Sequence, residues 1–451
     1  MPDIGIKKLL LSKKIRRVLA DSWSVSWPMT LIMFLIFIMG ITDVFVAGKF
    51  GKEIQAAYGV SFQIYFILLI IAMALTVGSV AVISRLFTSG DRRRYKRAVN
   101  SSLSTIFLAG CLFSALGVTC SGLFIGFLSI PEALKDLAKI FLSIYSVGIL
   151  FHYLMINTNA ILRASNSIKR SLATMSLVSL LNVGLNLLLS FHTPLGFQGI
   201  AISTVISLFI GTLLNLSHVY KLTKGLKFTL SETSEILRIS WPAGALQIFW
   251  QTGTMVLYMI ISSLPYNNVE TIAAYTNGLK IESAIFLPAF AFNMANAVVV
   301  GNLLGKNKKN DAFFSGIITA ITGVIIVILL TIFVMAGSRV IASSLSDNHI
   351  VIHESVKYIL IVFLFEPIMT WGVILGGGLN GAGDTKTVMT IAAISIWLIR
   401  VPLAYTLGIQ LGLGAIGIWW AMNLSIIVHT SLITMRYFRK QWMSLPVYGR
   451  S

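Results

Sequence analysis

Long apolar segments alternate with short polar or basic connections from one end of the chain to the other. A helix that crosses a bilayer needs about 20 mainly apolar residues, and segments of that kind recur twelve times. They lie approximately at 24–47, 58–83, 98–122, 138–162, 171–191, 198–220, 239–262, 271–302, 312–337, 354–378, 388–409 and 414–436. The pattern predicts an all-α membrane protein with twelve transmembrane helices.

The composition supports the same class of protein. Of the 451 residues, 56% are hydrophobic and 11% are charged, and the mean hydropathy is +0.85. The first apolar run is too long for the hydrophobic region of a cleavable signal, so we expect it to remain as the first helix. Cys111 and Cys120 lie in one apolar segment and suggest neither a disulfide framework nor a metal site. We therefore expect no cofactor and no structural metal.

The net charge of +19 reads as a topology signal rather than as a nucleic-acid surface. If the N-terminus is cytoplasmic, 27 of the 35 Lys and Arg residues fall in inner segments and only 6 in outer segments. The positive-inside rule then places both termini in the cytoplasm. The basic run at 92–97 is interpreted as an anchor to anionic lipid. We expect a monomer in a prokaryotic cytoplasmic (inner) membrane, in contact with lipids and with no nucleic-acid partner.

The two halves of the chain resemble each other along most of their length. Ser-Trp-Pro at 26–28 recurs at 240–242, and Ala-Ala-Tyr at 56–58 recurs 217 residues later at 273–275. Further matches follow in the same order: 85–90 with 302–307, 162–169 with 379–386, and 199–200 with 417–418. Each half holds six spans, so both halves enter the membrane in the same orientation. Repeats of this kind are typical of transporters that rock two halves around a central path.

These matches predict two six-helix repeats around a central cleft. The predicted segments are a cytoplasmic N-terminal segment (1–22), an N-lobe (23–220), a cytoplasmic linker (221–237), a C-lobe (238–437) and a cytoplasmic tail (438–451). The polar linker suits a tether that does not resist movement of the lobes. Pro28 removes a backbone hydrogen bond from the first helix, which makes it a candidate bend. The alternative is a proline just before the helix, which the repeat-related Pro242 favours.

Asp43 lies inside the first apolar segment, where an ionised side chain has no water to solvate it. An intramembrane acid is by default a functional hypothesis. The alternative is that Asp43 reaches the interface beside Lys49. Asn182, Asn186 and Thr204 are expected at the same depth, and the two asparagines share a helical face. This oxygen-lined set suits a proton or a hard monovalent cation such as Na⁺, with ordinary helix–helix hydrogen bonds as the alternative.

The second half carries its own charges near mid-membrane, namely Glu282, Glu366 and Arg400. An ion pair between Arg400 and one of the two acids is the structural interpretation, because unpaired buried charges are costly. An acid left unpaired would attract a cationic substrate. Lys280 is two residues from Glu282, which directs the two side chains apart on a helix.

Over residues of about 20–440, the chain resembles the multidrug and toxic compound extrusion (MATE) transporters. The motifs that carry the resemblance are Thr42-Asp-Val-Phe-Val-Ala-Gly48, Gly301-Asn-Leu-Leu-Gly305, Leu379-Asn-Gly-Ala-Gly-Asp-Thr-Lys386, Arg400-Val-Pro-Leu-Ala-Tyr405 and Gly414-Ala-Ile-Gly-Ile-Trp419. The resemblance implies a coupling site at Asp43, Asn182 and Thr204. Where prokaryotic relatives can carry a fourth-position aspartate, this chain has Asn186, which leaves a single negative charge. The helix-seven acid of some members is absent, and Glu366 lies about one turn from the place of a helix-ten acid.

The resemblance implies a secondary antiporter that exports small organic, often cationic, compounds in exchange for H⁺ or Na⁺ by alternating access. The alternative within the same superfamily shape is a flippase for lipid-linked or polyisoprenoid cargo. That function would need several basic residues in the cavity, whereas only Lys280 and Arg400 are available within spans. A membrane-embedded enzyme would need a clustered nucleophile, metal or acid–base pair. No such cluster accompanies the Asp43 set in the sequence, so we predict a transporter rather than an enzyme.

Overall fold

The computed structural model describes residues 2–127 and 131–445, without the side chains of residues 2–15, 17, 18 and 133. The first six helices of the described chain are α1 (Pro2–Lys49), α2 (Lys52–Ser89), α3 (Arg92–Gly126), α4 (Glu132–Ala164), α5 (Ile168–Phe191) and α6 (Gln198–Thr223). Further helices are α7 (Thr233–Ser262), α8 (Asn268–Gly305), α9 (Lys309–Ala336), α10 (Ser338–Leu345), α11 (His349–Val362), α12 (Glu366–Gly381), α13 (Thr385–Ala393), α14 (Val401–Tyr405) and α15 (Gly414–Phe438).

Twelve spans in the described chain are long and apolar enough to cross a membrane. The first nine correspond to α1 through α9 in order. The tenth joins α11 to α12 through a 3₁₀ turn at Phe363–Phe365, and the twelfth is α15. The eleventh runs from Thr385 to Gln410 and contains two π-helical segments. The predicted all-α, twelve-span architecture is confirmed.

The contacts divide the chain into two compact units. The N-terminal unit contains residues 31–244, and the C-terminal unit contains the chain up to Thr30 and from Ala245 onward. Both boundaries lie inside a helix, two residues after the Ser-Trp-Pro motifs at 26–28 and 240–242. Pro28 is therefore within α1 rather than before it, and the alternative of a pre-helical proline is wrong. The lobes 23–220 and 238–437 remain a prediction of which segments move together; the last six residues of the predicted tail lie outside the described chain.

In the N-terminal unit, α4 packs against α2, α3 and α6, and α5 packs against α6. Small polar side chains hold these helices together, as is common in membrane proteins. Ser102 on α3 hydrogen-bonds to Ser79 on α2 at 2.8 Å, and the amide of Asn157 on α4 donates to Ser102 at 2.9 Å. These buried pairs lock three helices at one level.

The linker between the halves is bonded to α3. The backbone N–H groups of Thr229 and Glu232 donate to the hydroxyls of Ser104 and Ser101, each at 3.1 Å. The Arg94 guanidinium contacts Glu232 at 3.4 Å and Glu235 at 2.7 Å. The polar groups of the linker thus find partners on α3 of the same unit, and the expectation that the linker does not resist movement of the lobes stays a prediction.

In the C-terminal unit, α8 packs against α9, α11 and α12, and α12 packs against α15. Gly377 lies so close to the Asn293 backbone that a side chain there would collide with it. At this approach, the amides of Asn293 and Asn296 donate to the carbonyls of Val373 and Ile374 at 2.6 and 2.7 Å. The interface of α8 with α12 therefore combines close backbone contact with polar bonds, which fixes the helices that carry Glu282 and Glu366.

Candidate functional site in the N-terminal unit and acids of the C-terminal unit

Asp43 is buried in the N-terminal unit, with 6% of its surface exposed. The amide of Asn186 on α5 donates to Asp43 Oδ1 at 2.6 Å, and the hydroxyl of Tyr58 on α2 approaches Oδ2 at 3.5 Å. The alternative that Asp43 reaches the interface beside Lys49 is wrong, because burial and these two donors hold the carboxylate among α1, α2 and α5. Three helices thus converge on one carboxyl group.

Asn182 and Thr204 form a neighbouring pair rather than direct ligands of Asp43. The Asn182 amide donates to Thr204 Oγ1 at 3.0 Å, and both residues are buried. The Asn182 Oδ1 atom is buried and has no hydrogen-bond partner in the described chain. Since Asn182 and Asn186 lie one helical turn apart on α5, this oxygen is an acceptor held on the same helix face as the group that bonds Asp43.

Tyr58 is a site residue that the sequence reasoning missed. Its ring belongs to a buried aromatic cluster, with ring centroids 6.5 Å from Tyr145 and Tyr145 stacked 5.0 Å from Tyr65. In sequence these tyrosines resemble ordinary apolar-core residues. The only available signal was their spacing, because Tyr58 and Tyr65 are seven residues apart and share a face of α2.

In the C-terminal unit, Glu282 is half-buried on α8 and accepts a hydrogen bond from the Tyr358 hydroxyl at 2.8 Å. The Tyr358 ring packs edge-on against Trp419 at 4.8 Å between centroids. Lys280 is exposed and forms no ion pair with Glu282 in the described chain, in line with their opposed directions on the helix. Glu282 is therefore held by an aromatic hydroxyl instead of a cation.

Arg400 is buried at the end of a π-helical segment (Ile394–Arg400). Its Nε donates to Ser425 Oγ at 2.8 Å, and its guanidinium lies 4.9 Å from the centre of the Trp250 ring. Neither Glu282 nor Glu366 forms an ion pair with Arg400 among the described residues, so the interpretation of an Arg400–Glu pair is wrong. A hydroxyl and an aromatic face satisfy the cation in place of a carboxylate.

Glu366 is wholly buried, and neither carboxyl oxygen has a hydrogen-bond partner in the described chain. It begins α12 directly after the 3₁₀ turn and is followed by Pro367. The backbone carbonyls freed around this break are bonded from α15, by Asn423 to Ile361 at 2.8 Å and by Thr430 to Ile368 at 3.0 Å. Backbone carbonyls on both sides of the break thus have hydrogen-bond partners, whereas the Glu366 carboxyl group has none in the described chain.

No group of three or more His, Cys, Asp or Glu side chains in the described part of the chain could hold a metal ion. The chemistry that the two units offer is instead that of single buried acids. Asp43 accepts hydrogen bonds from an amide and a hydroxyl, Glu282 accepts one from a hydroxyl, and Glu366 is unpartnered. Isolated intramembrane acids of this kind are suited to binding and releasing a cation or proton.

Twelve spans in two sequence repeats, with acids inside the spans, are typical of membrane transporters. The family model for MatE matches residues 28–188 and again 242–406. The chain therefore belongs to the MatE family of transporters and is not an enzyme. The two separate matches also confirm the internal repeat, since each begins at the proline of a Ser-Trp-Pro motif.

Individual relatives agree with this assignment. The chain is 24% identical over 425 residues to a protein of Thermotoga maritima named probable multidrug resistance protein NorM, which covers 92% of this chain and 90% of the relative. It is 23% identical over 433 residues to the multidrug resistance protein NorM of Vibrio vulnificus, covering 90% and 91%. The fold matches the Vibrio cholerae MATE transporter VcmN in its bent form with a TM-score of 0.87, 17% identity and coverage of 95% and 98%.

Proposed function

We propose that this protein is a secondary multidrug antiporter that exports small organic, often cationic, compounds in exchange for a cation bound at Asp43. The observation that carries the proposal is a buried carboxyl group held by Asn186 and Tyr58 in a chain of the MatE family. The printed names of the NorM relatives, which refer to multidrug resistance, support the class of substrate. The charge distribution supports a cytoplasmic location of both termini in a bacterial inner membrane.

We propose H⁺ as the first candidate for the coupling ion and Na⁺ as the second. Both groups that contact the Asp43 carboxylate donate hydrogen bonds to it. The carboxylate can therefore accept a proton, but these two contacts do not supply the several oxygen ligands that Na⁺ would need. With Asn186 in place of a second acid, Asp43 is the single carboxyl group of this site. Protonation would remove its charge and its need for both donors, which supplies two states for an alternating cycle.

Glu282 and Glu366 are proposed to serve cationic substrate in the C-terminal unit. Glu282 is half-buried, and among the described residues it forms no ion pair with Arg400 or Lys280. Glu366 brings a second carboxyl group to the break between α11 and α12. An acid without a basic partner favours a cation over an anion. The Tyr358 hydroxyl that holds Glu282 belongs to a buried ring, which packs edge-on against the equally buried Trp419.

The proposal is tested by ethidium efflux from inverted vesicles under an imposed pH gradient or an imposed Na⁺ gradient. We expect the wild type to export dye, and Asp43→Asn to lose at least about tenfold of the gradient-driven rate, because the neutral amide does not bind the ion. Asp136→Asn is the matched control, because Asp136 is exposed on α4 and its replacement removes the same charge.

Normal export by Asp43→Asn under both gradients would show that Asp43 is not the coupling residue. A wild type that responds only to Na⁺ would keep Asp43 as the site and replace H⁺ as its ligand. Movement of lipid-linked cargo without any dye transport would instead favour a flippase. Dye binding to the purified protein checks that the variant still recognises substrate.

A further inference from the structure

The guanidinium of Arg400 has two nitrogens that no group in the described chain uses. Its Nε donates to Ser425 Oγ at 2.8 Å, and its face lies 4.9 Å from the centre of the Trp250 ring. Nη1 and Nη2 form no hydrogen bond among the described residues, and each retains accessible surface. Arg400 is only 6% exposed, so a buried cation keeps two donors available for a further partner.

The local structure holds this guanidinium in one orientation. Arg400 ends the π-helical segment Ile394–Arg400, in which the N–H of Val401 bonds to the carbonyl of Ile396. π turns of this kind are frequent at functional sites. Stacking on an aromatic face leaves the N–H groups in the plane of the guanidinium available, and Ser425 occupies only Nε. The remaining planar fork matches the two oxygens of a carboxylate.

Glu282 brings an acidic group close to this cation. Arg400 and Glu282 interact electrostatically, and both also interact with Tyr275, but no ion pair joins them in the described part of the chain. The Tyr358 hydroxyl occupies Oε2 of Glu282. Its Oε1 has no hydrogen-bond partner among the described residues and retains accessible surface. The C-terminal unit thus offers two opposite charges near each other, each with atoms that remain available.

Aromatic side chains beside Arg400 favour an organic partner over a bare inorganic anion. Trp250 on α7 and His429 on α15 are both half-buried, and their rings meet edge-on with 6.4 Å between centroids. His429 lies one helical turn from Ser425, on the same face of α15. Sites for small organic molecules typically combine such aromatic surface with a few polar groups that fix the orientation of the ligand.

We propose that Arg400 is a specificity-determining residue that binds the carboxylate of zwitterionic organic substrates, while Glu282 attracts their cationic group. The inference rests on the proposed function, because it concerns which compounds the same transporter recognises. A carboxylate would accept hydrogen bonds from Nη1 and Nη2 together and would pair a charge that is costly to bury alone. A substrate with a cationic group only would leave Arg400 unpaired and would be repelled by it.

The test measures the binding of two rhodamine dyes to the purified full chain in detergent by fluorescence polarisation. One dye carries a free carboxylate beside its cationic ring system, and the other is its methyl ester, so the pair differs in that one charge. We expect the wild type to prefer the carboxylate dye by at least about tenfold, and Arg400→Gln to lose this preference by binding only that dye more weakly. Glu282→Gln, whose amide oxygen can still accept from Tyr358, should weaken the binding of both dyes.

Two further variants separate recognition from folding. Arg400→Lys keeps the charge but presents a single ammonium in place of a planar fork, so it should retain only part of the preference. Arg339→Gln is the matched control, because Arg339 is exposed on α10 and its replacement removes the same charge. We expect this control to leave both affinities unchanged. Since the ester is measured on the same preparation, a folding defect would weaken the binding of both dyes.

The outcomes distinguish this inference from the proposed function. Equal affinity of the wild type for the two dyes, or an unchanged preference in Arg400→Gln, would overturn the role of Arg400 and leave the proposed antiport standing. Equal weakening of both dyes in Arg400→Gln would assign the residue a structural role and likewise overturn the inference. An Arg400-dependent preference without gradient-driven export of either dye would keep the recognition role and overturn the antiport. A wild type that neither binds nor exports the dyes would overturn both.

Discussion

At the scale of single residues, Glu366 stands out because no hydrogen bond in the described chain compensates for the burial of its carboxyl group. Burying a carboxyl group without a hydrogen bond is unfavourable by about 1–3 kcal/mol in mutational data. Both oxygens of Glu366 are in that situation in the described chain. Stability alone therefore does not account for a glutamate at this position.

Replacing Glu366 with leucine is expected to raise the free energy of unfolding by about 1–3 kcal/mol, because the change removes an unsatisfied buried polar group. Thermal melting of the purified protein in detergent measures this, and dye export should fall in parallel. Glu282→Leu is the matched comparison and should destabilise, since it leaves the Tyr358 hydroxyl without its acceptor. A lower melting temperature for Glu366→Leu would mean that the carboxyl group is structurally required.

The sequence predicted some of these side-chain contacts but not others. Asp43 was found with Asn186, as expected from a shared depth and the cost of an intramembrane charge. Tyr58 was not predicted, because an aromatic residue in an apolar helix has the same sequence pattern whether it only packs or also forms a hydrogen bond. The Arg400 pairing failed for the same reason, since Ser425 and Trp250 are remote in sequence and can satisfy a cation as well as an acid can.

At the scale of helices, the predicted spans were right while their internal irregularities were not foreseen. The 3₁₀ turn at Phe363–Phe365 and the π-helical segments of the eleventh span fall within apolar runs that resemble continuous helices. Such breaks depend on distant side chains that bond the freed carbonyls, here Asn423 and Thr430 on α15. Hydropathy detects burial of a segment but not the partners of its backbone.

The attachment of the linker to α3 leads to a prediction about stability. Arg94→Ala is expected to lower the free energy of unfolding by about 2 kcal/mol, because it removes the charged hydrogen-bond donor shared by Glu232 and Glu235 and leaves Glu232 only the 4.0 Å contact with Arg97. Arg93→Ala removes the same charge from an exposed neighbour and should change stability little. The measurement is the melting temperature of each variant in detergent, compared with that of the wild type. Equal values for both variants would show that the pairs contribute nothing measurable.

At the scale of the whole molecule, the repeat was the most informative feature of the sequence, and the family match over both halves confirms it. Related positions of the two halves can be recognised even where their residue types differ. Tyr58 and Tyr275 occupy related places in the repeat, as do Tyr65 and Glu282. In the N-terminal unit Tyr65 hydrogen-bonds to His152. At the related position of the C-terminal unit, Glu282 accepts a hydrogen bond from Tyr358.

The direction of the whole molecule in the membrane is predicted from 27 basic residues on one side against 6 on the other. In a chain with Cys111→Ser and Cys120→Ser, single cysteines at Lys52 and Asp136 should react with a membrane-impermeant maleimide on intact cells. Cysteines at Lys227 and Lys386 should react only after permeabilisation. All four side chains are exposed, so the comparison measures sidedness rather than burial. The opposite labelling pattern would contradict the predicted orientation and place both termini outside the cytoplasm.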